Sequence, residues 1–252
     1  MQTCENKMKA MIFAAGLGTR LQPLTIKKPK ALIEIKGIPL LEIIITRLKK
    51  YGFNEIIINI HHFADQIENF LKSKHNFDIS ITLSDERELL LDTGGGLKKA
   101  ASLFGDCKAF LVHNVDVLTD INLNELYNYH MLHGNLVTLS VRDRKTSRAF
   151  LINDHKIICG WKNNTTGETK ISRPEEQNLM PVAFDGIHVI SPSFFSLITE
   201  EGVFSITDTY LRIARSHEIS TWQNKNSFWM DLGKIENLSM AEESLNRHET
   251  FK

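Results

Sequence analysis

Four short apolar runs, the first three each followed by a stretch with helical character, limit what this chain can fold into more than any other feature. They are Ala10 to Ala15, Glu55-Ile-Ile-Ile-Asn-Ile60, Ile79-Ser-Ile-Thr-Leu83 and Ala109-Phe-Leu-Val112. The continuous β-branched run over residues 55–60 is typical of a strand covered on both faces. Between them, residues 39–51 carry apolar positions at helical spacing, with Pro39 suited to a first turn and Gly52 to the cap beyond the last. Residues 64–72 read as a second helix, and Thr93-Gly-Gly-Gly96 opens a third over residues 97–104. Strands alternating with helices at this spacing predict βαβ units, hence an α/β fold with a mostly parallel sheet. Right-handed crossovers then place helices on both faces.

The texture changes after Asn135. Residues 136–141, 150–152 and 156–159 read as short strands of a small antiparallel extension, and polar residues 162–178 read as a loop. Residues 183–190 form a strand with Gly186 inside it, a sign that something approaches the backbone there. Residues 204–216 look helical, 219–223 extended, and 235–247 form a closing amphipathic helix. No repeat, low-complexity tract or linker interrupts the chain, so a single domain over residues 1–252 is expected, with residues 1–7 as a mobile tail.

Thirty basic and thirty acidic side chains cancel, so no bulk charge selects nucleic acid or a membrane surface. Cys4, Cys107 and Cys159 are few and far apart, which suits a reducing compartment. The N-terminal residues lack the apolar core of a signal peptide, and the longest apolar runs are too short to span a bilayer. A cytoplasmic protein is expected.

Ligands of open α/β sheets bind beyond the carboxyl ends of the strands. Three segments fall there: the loop at Gly16 and Gly18, the Thr93 loop, and the Asn114-Val-Asp116 tip. Glycines just past a strand leave backbone N–H groups bare and able to cradle an anion. Arg20, Lys27, Lys28 and Lys30 follow within one loop, so a polyphosphate is the expected ligand. Gly16-Leu-Gly-Thr-Arg-Leu21 has Leu where a dinucleotide fingerprint needs its third glycine, which argues against a dinucleotide-dependent oxidoreductase, and no Gly-Lys-Ser/Thr P-loop is present.

The segment from Ala14 to Leu32 resembles the signature of the nucleotidyltransferases that make nucleoside-diphosphate sugars, the sugar-1-phosphate pyrophosphorylases. It matches at Ala14, Ala15, Gly16, Gly18, Thr19, Arg20, Leu21, Pro23, Leu24, Thr25, Pro29, Lys30 and Leu32. The resemblance continues through Thr93-Gly-Gly, the Asp116 tip and Phe228-Trp-Met-Asp-Leu-Gly233. It implies a Rossmann-like three-layer α/β/α fold and attack by a sugar 1-phosphate oxygen on the α-phosphorus of a nucleoside triphosphate, with Mg²⁺ as cofactor. Arg20 and Lys30 would be catalytic, neutralising the triphosphate and its leaving pyrophosphate. Ala14, Gly16, Gly18, Thr19, Asp92, Thr93, Gly94 and Gly95 would hold the nucleotide, and Asp116 and Asp231 the metal. Asn114, Lys162 and Gly186 would contact the sugar phosphate. Two motifs depart from the family pattern: Val115 stands where glycine is usual, and Trp161-Lys-Asn163 keeps only the lysine of a Glu-Lys-Pro sequence.

Length and the Thr-Gly-Gly-Gly loop look most like the N-acetylmuramate-1-phosphate uridylyltransferases. Mannose- or heptose-1-phosphate guanylyltransferases, a phosphocholine cytidylyltransferase and an inactive regulatory homologue remain as alternatives. His61 and His62 close a strand without a third ligand at zinc-site spacing and read as loop residues.

Overall fold

The computed structural model describes residues 8–224 and 227–247; the expected tail over residues 1–7 lies outside them. β1 (Met8–Phe13), β2 (Glu34–Ile35) and β3 (Ile38–Pro39) precede α1 (Leu40–Lys50). β4 (Phe53–Ile60) leads to α2 (Ala64–Ser73), and β5 (Ser80–Asp85) to α3 (Asp92–Lys99). β6 (Phe110–Asn114) and β7 (Val117–Thr119) lead to α4 (Leu123–His133). Five strands follow: β8 (Val137–Arg142), β9 (Arg148–Ile152), β10 (Ile158–Asn163), β11 (Thr169–Ile171) and β12 (Met180–Ile190). The described chain closes with α5 (Ile206–Ile213), β13 (Ser220–Gln223), β14 (Trp229–Asp231) and α6 (Ile235–Arg247).

Strands β5, β4, β1 and β6 pair in parallel in that order. β12 joins β6 antiparallel and is followed, again antiparallel, by β8, which takes β13 in parallel. Six of these seven strands therefore run the same way, and β12 alone is reversed. The N-terminal part of β12 also pairs with β9, which begins the antiparallel extension β9–β10–β11.

Side-chain alternation splits the apolar residues of one strand between two cores. Ala10 and Ile12 of β1 face a core built with α1, α2 and α4, while Met11 and Phe13 face one built with α3 and α5. This is the three-layer arrangement, with a mixed, mostly parallel sheet in the middle. None of the described helices is long and apolar enough to cross a membrane.

Three local expectations need correction. The polar segment 162–178 is not one loop: β10 continues to Asn163, and β11 returns against it after a turn. In that turn the Thr165 N–H donates to Asn163 Oδ1 at 2.9 Å. All three residues of β11 are exposed, so an edge strand presents the composition of a loop. The third helix begins at Asp92 and contains the glycines, whereas helical spacing points to a start at Leu97. α4 has no counterpart among the expected helices, although Asn122 caps it by accepting from the N–H groups of Asn124 (3.1 Å) and Glu125 (3.3 Å).

Candidate active site

At the carboxyl ends of β1 and β6 lies a cleft of about 390 Å³. Ala15, Gly16, Lys30, Asn59, Asp92, Thr93, Asn114 and Asp116 line it, so the three segments expected to converge do so. Phe13, Leu90, Val115 and Val203 give it apolar walls.

The glycine loop is built on a left-handed residue. Gly18 has φ 66°, and a Cβ there would lie 2.9 Å from the Thr25 methyl and 3.0 Å from the Lys30 Cβ. The Thr25 hydroxyl donates to the Gly18 carbonyl at 2.9 Å, closing the loop. Gly16, Thr19 and Arg20 are exposed. Among the described residues, nothing accepts a hydrogen bond from the N–H groups of Gly16, Leu17 or Gly18. These amides are free for an anion. Ala14 differs: its N–H donates to Asn59 Oδ1 at 2.7 Å, so it supplies no donor to a phosphate.

Asn59 is the main residue that sequence reasoning missed. It also accepts from the Ala15 N–H at 3.3 Å and donates to Glu86 Oε1 at 2.8 Å. Glu86 is fully buried, and its other oxygen accepts from the Leu91 N–H at 3.1 Å. One buried network thus ties the glycine loop to the Thr93 segment. The available signal was a single amide inside an otherwise β-branched run.

The Thr93 segment is built by packing. The N–H groups of Gly94 and Gly95 both donate to the Phe204 carbonyl, at 2.9 and 3.3 Å. A Cβ on Gly94 would fall on the Phe204 ring, and one on Gly95 on the Gly202 carbonyl. Thr93 does not cap its own helix; its hydroxyl accepts from the Ile206 N–H at 3.1 Å, at the start of α5. Gly94 and Gly95 are buried and do not line the cleft, whereas Asp92 and Thr93 do.

The metal candidates come together through a two-stranded ladder. β14 pairs with β7 so that Asp231 lies opposite Val117, the residue after Asp116, and the Leu232 N–H donates to the Asp116 carbonyl at 2.7 Å. Each carboxylate faces a catalytic candidate. Lys30 Nζ pairs with Asp116 Oδ2, and Arg20 Nη1 lies 3.7 Å from Asp231 Oδ2. The Gly233 N–H holds Asp231 Oδ1 at 2.8 Å. Two aspartates present an all-oxygen set that suits a hard divalent cation taking its remaining ligands from phosphate and water. Val115 is buried, and its N–H donates to the Phe13 carbonyl at 3.2 Å, fixing the tip of β6 to the end of β1.

The sugar-side candidates separate. Asn114 lines the cleft, and Gly186, at φ 76° in an irregular part of β12, packs against it. A Cβ on Gly186 would meet Asn114 Nδ2 at 2.8 Å and the Val117 side chain at 2.9 Å. Lys162 is exposed on β10 and does not line the cleft. Beneath the site, burial pushes the imidazole pKa of His113 down to about 4 and that of His188 down to about 3. His61 Nδ1 bonds to the Glu86 carbonyl at 2.7 Å.

Residues 9–248 match the family model described as nucleotidyl transferase. The chain is 30% identical over 235 residues to the N-acetylmuramate α-1-phosphate uridylyltransferase of Neisseria meningitidis, covering 93% of this chain and 97% of that one. It is 28% identical over 237 residues to a mannose-1-phosphate guanyltransferase of Hypocrea jecorina, covering 90% of this chain but only 61% of that longer protein. Its fold is similar to that of a UTP-bound UGPase from Acinetobacter baumannii, with TM-score 0.77, 17% identity and coverage of 96% and 95% of the two chains. The chain belongs to the nucleotidyl transferase family and is an enzyme of that class.

Proposed function

We propose that this enzyme transfers a uridylyl group from UTP to N-acetylmuramate 1-phosphate, releasing pyrophosphate. The observation that carries the substrate is the end-to-end match, at 30% identity, to a uridylyltransferase of nearly the same extent. Transfer from GTP to mannose 1-phosphate is the second reading, favoured by the match to the fungal guanyltransferase.

In this reading the amides of Gly16 to Thr19 cradle the triphosphate, and Arg20 and Lys30 move from their aspartates onto its oxygens. An acceptor phosphate oxygen attacks the α-phosphorus as the bond to the β-phosphate oxygen breaks and pyrophosphate leaves. Such reactions rest on positioning and charge neutralisation, with little covalent work for the protein. Asp116 and Asp231 would hold Mg²⁺, which when bound neutralises charge on the reacting phosphates. Asp92, Thr93 and Asn114 line the walls against which nucleotide and sugar would be oriented. Pyrophosphate release, measured for UTP, GTP and CTP against N-acetylmuramate, mannose, heptose and glucose 1-phosphates and phosphocholine, tests the assignment. Preference for UTP with N-acetylmuramate 1-phosphate is expected. Preference for another pair replaces the substrate, and no turnover with any pair removes the transfer reading.

A further inference from the structure

A cleft of about 390 Å³ lies near the low end of the roughly 300–1,000 Å³ that holds one drug-sized ligand. A reaction between two phosphorylated substrates also needs a place for the acceptor's phosphate. A second concavity of about 360 Å³ is lined by Asp143, Arg144, Lys145, Thr146, Asn164 and Pro181, among others. Its position follows from the topology. β12 is antiparallel to both β6 and β8, so β6 and β8 run the same way. The segment leaving the carboxyl end of β8 therefore emerges at the same edge of the sheet as Asn114 and Asp116.

Arg144 is the side chain in this concavity whose guanidinium has no carboxylate hydrogen-bonded to it among the described residues. Its guanidinium carbon lies 4.0 Å from the centroid of the Trp229 ring. Its hydrogen bonds go to neutral backbone carbonyls, Phe184 at 3.1 Å and Lys145 at 3.5 Å, and its Nε is buried without a partner among the described residues. The nearby buried carboxylate is taken already: Asp185 accepts from Arg142 Nε at 2.6 Å and from the Ser140 hydroxyl at 2.8 Å. Burial, with repulsion from Arg142, holds the Arg144 pKa below its ordinary value against the opposing pull of Asp185 and Asp231. A half-desolvated guanidinium without a carboxylate of its own gains from an arriving anion more than a solvated one does. Trp229, the platform of Arg144, is two residues before Asp231 on β14. Side chains two apart on a strand share a face at a spacing of about 7 Å, so stacking on Trp229 sets Arg144 against the face of β14 that also carries Asp231.

We propose that Arg144, assisted by Lys145, binds the phosphate of the acceptor sugar 1-phosphate, in an assignment that rests on the transfer reading above. With Asp143 also lining it, the concavity holds two cations and one anion, a net positive charge suited to a phosphate. Stacking on Trp229 fixes the fork of the guanidinium, which favours Arg over Lys at this position.

The test is steady-state kinetics of wild type, Arg144→Gln and Arg144→Lys with UTP and the most active acceptor from the substrate panel, together with calorimetric UTP binding in the absence of acceptor. For Arg144→Gln the acceptor KM should rise by about tenfold or more, the size expected for one charge-assisted hydrogen bond. The KM and Kd for UTP should stay within about twofold, and Arg144→Lys should recover part of the acceptor affinity. An unchanged acceptor KM, or equal losses for both substrates, overturns the assignment and leaves Arg144 as a packing residue against Trp229. Wild type that turns over no pair overturns the transfer reading itself, and that failure is visible before any variant is made.

Discussion

Replacing Asn59 with Leu tests the buried network that holds the glycine loop. Leu is close in size, but it removes the acceptor of the Ala14 N–H and the donor to Glu86 Oε1. Ala14, Asn59 and Glu86 are 3%, 3% and 0% exposed, so water cannot readily replace either bond. A buried polar group left without a partner costs about 1–3 kcal/mol. Two such groups give a loss of about 2–6 kcal/mol, a large share of the roughly 5–15 kcal/mol that holds a typical domain folded. The Ala15 bond adds little because it is long and lies at the cleft. Urea unfolding followed by tryptophan fluorescence measures this as a lower midpoint at unchanged slope. A loss under about 1 kcal/mol would refute the reasoning, since it would mean that water or a rearranged loop satisfies both groups. Asn59→Asp separates the two halves of the network. It keeps the acceptor for Ala14 but replaces the donor to Glu86 Oε1 with a second acceptor, so any loss it shows is assigned to the Glu86 side of the network.

The two glycine-rich segments should respond in opposite ways to alanine. Gly94→Ala and Gly95→Ala should each destabilise by about 1–3 kcal/mol through overpacking, whereas Gly16, where an added Cβ would meet nothing within 4 Å, should tolerate alanine in thermal unfolding and lose triphosphate affinity in calorimetry. Arg20 is exposed, so Arg20→Ala should leave the melting temperature unchanged while lowering kcat by about a hundredfold or more, as removal of a transition-state charge donor does; near-normal turnover would count against its role. Asp116→Asn and Asp231→Asn should each weaken Mn²⁺ binding as well as activity, and an unchanged metal titration would remove that aspartate from the site. His113 and His188 are held neutral by burial, with folded values of about 4 and about 3, below the ordinary value of 6.5. Their contribution is therefore complete above pH 6.5 and is lost as pH falls from there toward those folded values, because the unfolded chain takes up protons that the native one refuses. NMR titration of the imidazoles checks this, and either ring titrating near its ordinary value would contradict it.

The sequence by itself determined the central strands β1, β4, β5 and β6, the layer order and one end of the site. The apolar runs at β1, β4 and β6 are long and continuous enough that local pattern decides them, and Gly16, Gly18, Arg20 and Lys30 lie in one stretch whose chemistry can be read along the chain. Tertiary structure decided what depends on pairing between distant segments. The ladder between β7 and β14 sets Asp231 beside Asp116, a register that no local spacing encodes. The glycines after Thr93 were legible as glycines, but only packing against Phe204 and Gly202 shows that their amides are already used. Asn59 and Arg144 belong to the same class. A lone amide in a strand or an arginine in a polar loop has no meaning until burial removes water, and burial is a property of the assembled layers.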